Sequence, residues 1–246
     1  MRVKLVIEYL GTNYSGWQNQ KDANSVQAEV EKAIKATTGE VVSVEASGRT
    51  DKGVHARAQI AHFDTDTVIP TENLFKAINQ KLPSDIRIRS STTVSNDFHA
   101  RFNTKRKTYC YNFYVSEIAR PLLDSTYAHI KPMFDYTTAQ MCIPYFVGTH
   151  DFRAFMSTGS DKENTTRTVF DCSLSHDEAS DSYSMRITGN GFLYNMVRII
   201  AGTVIAVGAG KIKPNDVANI IARLDRTRAG TTAPAAGLVL ESVEYE

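Results

Sequence analysis

The segment Gly48–Ala56, with the sequence GRTDKGVHA, holds one carboxylate between two cations. Asp51 lies between Arg49 and Lys52, and a β-branched run precedes the segment while an alternating apolar run follows it. We therefore expect a polar loop between two strands. Nearby cations favour the charged form of a carboxyl group. Ionised Asp51 would suit a nucleophile or a base, and would be a poor acid.

The same loop has two other interpretations. An aspartate in such a loop can form a turn by accepting a hydrogen bond from its own backbone. The spacing of Gly48 and Gly53 also matches a phosphate-binding loop, but that motif needs Lys and then Ser or Thr after the second glycine. Val54 and His55 stand there instead, so a nucleoside triphosphate site is not expected.

A second candidate is the basic segment, residues 98–107, which reads FHARFNTKRK and has no acidic residue. Its cations are Arg101, Lys105, Arg106 and Lys107. Aromatic residues lie in it and after it, at Phe98, Phe102, Tyr109, Tyr111, Phe113 and Tyr114. Cations for phosphates beside rings for bases are typical of single-stranded RNA binding. A solvated strand edge protected by lysines fits the same residues.

The composition is that of an ordinary globular protein, with 42% hydrophobic and 22% charged residues and a formal net charge of +1. No run approaches the roughly 18 apolar residues of a membrane span. Met1–Lys4 leads directly into a strand pattern, so no signal peptide is expected. Cys110, Cys142 and Cys172 fit neither a disulfide framework nor a zinc site. We expect a cytoplasmic protein without metal, cofactor or membrane contact.

The apolar patterns predict an α+β fold with two similar domains, residues 1–103 and 104–246. The first domain should have the order β-α-β-β-α-β. Its predicted elements are a strand (2–10), a helix capped by Asn24 or Ser25 and ended by Gly39, two strands (41–44 and 59–63), a helix from about Thr71 to Pro83, and a strand (86–94).

The second domain begins with a predicted strand at residues 109–115. Its other predicted elements are a helix after Asp135 that Pro144 should kink or end, strands near 166–175 and 182–189, a long helix from about Phe192 to Val207, a shorter helix opened by Pro214, and a strand from Gly237 to Val243. On the long helix, Arg198 shares a face with Gly191, Asn195 and Gly202. Such a face permits close approach of another group, although a surface arginine fits as well.

Seven sequence blocks, in this order, resemble the tRNA pseudouridine synthase A family. The blocks are YSGWQNQ (14–20), GRTDKGVHA (48–56), FHARF (98–102), KTYCY (107–111), GTHDF (148–152), GFLYNMVR (191–198) and TAPAAGL (232–238). The resemblance implies the pseudouridine synthase fold, in which two related ferredoxin-like units form a central RNA-binding cleft. The domain of residues 1–103 would then carry the catalytic loop, and that of residues 104–246 the active-site tyrosine and arginine.

The resemblance implies an isomerase that breaks the N1 glycosidic bond of uridine, turns the base and rejoins it through C5. The essential aspartate corresponds to Asp51. It could form a covalent adduct with the nucleotide or remove the C2′ proton of the sugar to give a glycal, and either role needs an ionised carboxylate. No cofactor or metal is implied.

The resemblance also implies roles for other residues. Arg198 would form an ion pair with Asp51, and Arg49 would hold the displaced stem or fill the space of the flipped nucleotide. The ring of Tyr109 would stack on the extruded uracil, although a strand tyrosine packed in the core fits the same pattern. Gln18 and Gln20 are expected in an RNA-facing loop.

The implied substrate is tRNA, modified at positions 38, 39 and 40 of the anticodon stem-loop by a homodimer. Recognition should then rest on tRNA shape and backbone more than on base identity. The main alternative is a non-catalytic tRNA-binding chaperone on the same fold. A glycoside hydrolase lacks a second carboxylic acid in these blocks, and a zinc deaminase lacks its Pro-Cys-x-x-Cys motif.

Overall fold

A computed structural model describes residues 1–20, 23–131, 133–159 and 163–245. Its contacts divide the chain into two compact units. The first unit comprises Met1–Lys105 and Leu240–Glu246, and the second comprises Arg106–Val239. The predicted domains of residues 1–103 and 104–246 differ from this division mainly at the C-terminal end, where the last strand returns to the first unit.

The first unit is an antiparallel sheet with two helices. Its elements are β1 (Arg2–Tyr9), α1 (Val26–Thr38), β2 (Glu45–Ala46), β3 (His55–Asp64), α2 (Thr71–Asn79), β4 (Ile86–Val94) and the larger part of β10 (Leu238–Glu244). The strands lie in the order β4-β1-β3, and both β2 and β10 pair with β3. The predicted order β-α-β-β-α-β is confirmed for this unit.

The alternation of buried and more exposed residues along β1 shows which face of the sheet lies on the core of the first unit. Every second residue of β1 is buried, as expected for a strand with one face on the core. Helix α1 begins where the Ser25 hydroxyl accepts a hydrogen bond of 3.2 Å from the Ala28 amide, and it ends at Gly39 with φ of 80°. These are the predicted cap and stop.

Two predictions for the first unit are wrong in their bounds. Residues 41–44 are not a strand, and β2 covers only Glu45–Ala46. The amide of Val44 donates to the Glu31 carboxylate at 2.9 Å and so does not join a strand ladder. Helix α2 ends at Asn79, before Pro83.

The second unit is also a sheet with helices. Its elements are β5 (Arg106–Val115), β6 (Ala128–Ile130), α3 (Tyr136–Gln140), β7 (Gly148–Asp151), β8 (Thr166–Asp177), β9 (Ser182–Gly189), α4 (Met196–Gly208) and α5 (Asp216–Arg223). The strands lie in the order β5-β9-β8-β7, with antiparallel pairing, and β6 is parallel to β5. The predicted α+β class is confirmed.

The helices of the second unit differ from prediction at their ends. Helix α4 begins at Met196 and not at Phe192, because Asn195 has a left-handed backbone with φ of 59°. As predicted from Pro144, α3 ends early, at Gln140, and Ile143–Phe146 forms a short 3-10 turn. None of the helices in the described ranges is long and apolar enough to cross a membrane.

Candidate active site

Buried side chains of the first unit hold the loop that carries Asp51. The hydroxyls of Tyr9 and Thr50 share a hydrogen bond of 2.8 Å, and the Thr50 carbonyl accepts one of 3.1 Å from the Trp17 amide. Burial raises the pKa of Tyr9 above its usual range, so this hydroxyl stays protonated. The residue directly before Asp51 is thus fixed through both its side chain and its backbone.

Gln59, fully buried on β3, fixes the start of the loop. Its Nε2 donates to the Gly48 carbonyl at 2.9 Å, and its Oε1 accepts from the Ser47 hydroxyl at 2.7 Å. One amide atom of Gln59 therefore bonds to the first residue of the loop and the other to the residue directly before it. These hydrogen bonds replace those to water that buried polar groups of the chain lose on folding.

The far end of the loop is held by the segment after β1. The Gly53 amide donates to the Tyr14 carbonyl at 3.3 Å, and the Gly11 amide donates to His55 Nδ1 at 2.9 Å. An ideal Cβ added at Gly11 would lie 1.9 Å from the carbonyl oxygen of Val54. The two segments can approach this closely only because residue 11 has no side chain.

Asp51 itself is half-buried in a turn. Its backbone carbonyl accepts a hydrogen bond of 3.1 Å from the Val54 amide. This bond belongs to the backbone, and a neutral side chain of the same shape would leave it in place. Asp51 is therefore a partly exposed residue on a loop that is fixed at both ends.

Arg49, a residue of this loop, is brought together with Gln18 from the segment after β1. Arg49 Nε donates to Gln18 Oε1 at 3.0 Å, and the arginine side chain is exposed. Gln20 is exposed and lies in the same unit. The planar guanidinium of Arg49 is therefore oriented by a partner while it remains open to a ligand.

Replacing Gln59 by leucine should destabilise the protein by about 1–3 kcal/mol, because the Gly48 carbonyl and the Ser47 hydroxyl lose a buried partner. The measurement is chemical denaturation of both chains. Gln80→Leu is the matched control, since Gln80 is exposed, and it should change stability by less than about 0.5 kcal/mol. Equal stability of Gln59→Leu and the wild type would show that the loop does not depend on this amide.

Tyr109 lies on β5 in the second unit and is 9% exposed. Its ring meets that of Phe192 edge to face, with centroids 5.3 Å apart. Tyr111 and Phe113 on the same strand are fully buried. Tyr109 is thus the most exposed of the three rings, but only slightly, and its role as a substrate contact stays a prediction.

Arg198 lies in the first turns of α4 and is held by polar partners of the second unit. Its Nε donates to the Ala233 carbonyl and its Nη1 to Asn195 Oδ1, each at 2.8 Å. An ideal Cβ added at Gly202 would lie 1.9 Å from the carbonyl oxygen of Thr231. The group that approaches this glycine on α4 is therefore a later segment of the same chain.

The predicted RNA-contacting cations are largely exposed. Arg101, Lys105 and Arg106 are exposed and Lys107 is half-buried. The Arg106 guanidinium lies 4.7 Å from the ring centre of Phe170, a residue at an irregularity of β8. An arginine stacked on a ring keeps its donors available for a phosphate.

The predicted residues thus fall into two groups. Six belong to the first unit: Asp51, Arg49, Gln18, Gln20, Arg101 and Lys105. Four belong to the second unit: Tyr109, Arg198, Arg106 and Lys107. Among the described residues, no three or more His, Cys, Asp or Glu side chains are placed to hold a metal ion.

The sequence did not indicate three residues that support the loop: Tyr9, Gln59 and Thr50. The one signal for Gln59 was a polar residue beside the apolar run of β3.

Comparison with known proteins decides the family. A sequence model described as tRNA pseudouridine synthase matches residues 5–103 and 143–246. The chain belongs to the tRNA pseudouridine synthase family. The matched ranges contain Asp51 and Arg198, while Tyr109 lies between them.

Named relatives cover almost the whole chain. The tRNA pseudouridine synthase A of Acetivibrio thermocellus is 47% identical over 243 residues, 99% of each chain. That of Ruminiclostridium cellulolyticum is 46% identical over 244 residues, again 99% of each. A chain in the crystal structure of a Cbf5-Nop10-Gar1 complex matches with a TM-score of 0.33 and 11% identity, covering 82% of this chain and 54% of that one. The family membership rests on the sequence relatives, and the resemblance to tRNA pseudouridine synthase A is confirmed.

Proposed function

We propose that this chain is a tRNA pseudouridine synthase that isomerises uridine in the anticodon stem-loop, at positions 38, 39 and 40. The observation that carries the proposal is 47% identity to a curated tRNA pseudouridine synthase A over 99% of both chains. The half-buried carboxylate of Asp51, on a loop fixed at both ends, supplies a group for the chemistry.

The reaction breaks the bond between N1 of uracil and C1′ and forms one between C5 and C1′. The proton on C5 is lost and N1 gains one, so the change is an isomerisation that needs no oxidant, reductant or energy source. Asp51 either attacks the nucleotide to form an adduct or removes the C2′ proton. Both routes use an ionised carboxylate held against the sugar.

The other predicted residues are proposed to bind the substrate. Arg49, oriented by Gln18, is exposed and suited to a phosphate or to the space that a flipped nucleotide leaves. Tyr109 is proposed to stack on the extruded uracil, since stacking can offset part of the few kcal/mol needed to unstack a base. Arg198 is proposed as a further substrate-binding residue. A homodimer and a cytoplasmic location complete the proposal.

The direct test is reaction of the purified chain with an unmodified tRNA transcript, followed by carbodiimide mapping of pseudouridine. We expect product at one or more of positions 38, 39 and 40. Tight tRNA binding with no product at any position would favour the chaperone alternative. Product only outside the anticodon stem-loop would refute the proposed target site.

Neutralising Lys105, Arg106 and Lys107 to glutamine should weaken tRNA binding and flatten its salt dependence. Each lost phosphate contact lowers the slope of log K against log salt concentration by about 0.7–0.9. The measurement is filter binding between low and moderate salt. The control is a triple change of three exposed lysines, Lys35 and Lys76 in helices and Lys81 directly after α2, to glutamine. Equal slopes for the two triple variants would place the RNA away from the basic segment.

A further inference from the structure

The basic segment presents one aromatic ring to solvent. Of the six rings within it and directly after it, Phe102 is 74% exposed. Phe98 is half-buried, and its ring lies near that of Tyr245, with centroids 5.0 Å apart. The four that follow, Tyr109, Tyr111, Phe113 and Tyr114, are buried in the second unit. Phe102 therefore differs from the other rings by its exposure to solvent. The spacing of the rings in the sequence did not reveal this difference.

The ring of His99 packs against the exposed ring of Phe102 in a tilted arrangement. The ring centres of His99 and Phe102 are 4.2 Å apart with an angle of 36° between their planes. His99 Nδ1 accepts from the Arg101 amide at 3.1 Å, and its Nε2 lies 3.1 Å from the Glu45 carboxylate. An accepting Nδ1 places the proton of the neutral ring on Nε2, which then donates to Glu45. The histidine is thus held in one orientation from two sides.

The turn that carries Phe102 is fixed by hydrogen bonds. The His99 amide donates to Asn103 Oδ1 at 2.6 Å, and the Asn103 amide donates back to the His99 carbonyl at 3.1 Å. The Ala100 carbonyl accepts from the hydroxyls of Thr104 and Tyr245, each at 2.8 Å. A ring on a fixed turn loses little conformational entropy when it binds a ligand.

Positive charge lies beside the ring. The Arg101 guanidinium is 5.7 Å from the ring centre of Phe102, and Lys105 follows three residues later with its side chain exposed. An exposed ring next to cations fits a nucleotide, whose base stacks while its phosphate pairs with the charge. It fits a purely apolar partner less well, since binding would desolvate the guanidinium.

We infer that Phe102, supported by His99 and flanked by Arg101, is a stacking platform for an unpaired base of the bound tRNA. This inference rests on the proposed function, because it takes tRNA as the ligand. Base stacking on an aromatic ring is sequence-tolerant. The platform would therefore contribute affinity without selecting among neighbouring target uridines.

The test measures binding of an unmodified tRNA transcript to variants at Phe102. Phe102→Ala should weaken binding about 5- to 150-fold, which corresponds to the loss of one base stack. Phe102→Leu should lose most of the same affinity, because it is apolar but has no ring, and Phe102→Tyr should bind within about threefold of the wild type. Val68→Ala, which removes an exposed apolar side chain of the same unit, is the control.

Salt dependence separates stacking from charge. Phe102→Ala should keep the wild-type slope of log K against log salt, because the ring neutralises no phosphate. Arg101→Gln should lower the slope by about 0.7–0.9 if the arginine contacts one phosphate. A slope change in Phe102→Ala equal to that of Arg101→Gln would overturn the stacking role.

Other outcomes overturn the inference as well. They are unchanged affinity in Phe102→Ala, equal losses in the alanine and tyrosine variants, and loss of self-association in Phe102→Ala with tRNA affinity intact. The last would assign the ring to a contact between copies of this chain. The two proposals fail separately, since a wild-type chain that binds tRNA but forms no pseudouridine refutes only the enzyme. Absence of tRNA binding would refute both.

Discussion

Asp51→Asn should abolish pseudouridine formation, lowering kcat by about 10⁴-fold or more, while tRNA affinity stays within about threefold of the wild type. Asparagine has the shape of aspartate but is neither a base nor a useful nucleophile at neutral pH. The hydrogen bond from the Val54 amide to the carbonyl of residue 51 uses the backbone, so the turn should persist. The loop should also keep its anchors at Gln59 and Thr50.

Single-turnover kinetics with excess enzyme measures this loss independently of product release. Asp66→Asn is the matched control, because Asp66 is an exposed aspartate of the same unit, and it should react at the wild-type rate. Equal melting temperatures for all three chains would exclude unfolding as the cause of any loss. Turnover by Asp51→Asn at a rate near that of the wild type would remove Asp51 from the catalytic role.

The sequence predicted those parts of the fold that depend on local chemistry. Ser25 and Gly39 mark the ends of α1 because a hydroxyl cap and a left-handed glycine act within one turn of the chain. The loop around Asp51 was predictable for the same reason, since glycines and charged residues interrupt two apolar patterns. Pro144 ended its helix as predicted, because its ring is incompatible with the helix interior.

The support of the loop was not predictable, because it depends on residues distant in sequence. Gln59 is polar, so its place in a strand suggests a solvent-facing residue. Only the fold shows that its two amide atoms bond to Ser47 and Gly48, where the loop begins. Gly202 was expected to admit another group, but nothing nearby in sequence indicates Thr231 as that group. The return of the last strand to the first unit is a long-range pairing of the same kind.

The exposure of aromatic residues shows the same limit. Period-2 alternation places Tyr109, Tyr111 and Phe113 on one face of β5, and all three are buried to similar degrees. Spacing gave no reason to distinguish Phe102 from Phe98, although only the former is exposed. Burial on a given face depends on what packs against it, which a single strand pattern does not encode.

Gly11→Ala should both destabilise the protein and slow its reaction. The added Cβ would lie 1.9 Å from the Val54 carbonyl oxygen and 2.6 Å from its carbon, far inside contact distance. Both atoms belong to the backbone, so the segment after β1 and the Asp51 loop must move apart. We expect a loss of about 3 kcal/mol or more in the free energy of unfolding, as for a severe overpacking change.

The Gly11→Ala molecules that do fold should have a kcat about 100-fold lower than that of the wild type. Displacement of a reacting group by about 1 Å has effects of that size. Gly39→Ala separates steric displacement from backbone strain. Its Cβ meets no atom of the described residues within 4 Å, while its φ of 80° disfavours alanine. That control should lose about 1–2 kcal/mol of stability and keep the wild-type kcat. If Gly11→Ala kept the wild-type kcat while losing stability, the position of the Asp51 loop would not depend on its contact with Gly11, and the anchors at Gln59 and Thr50 would suffice.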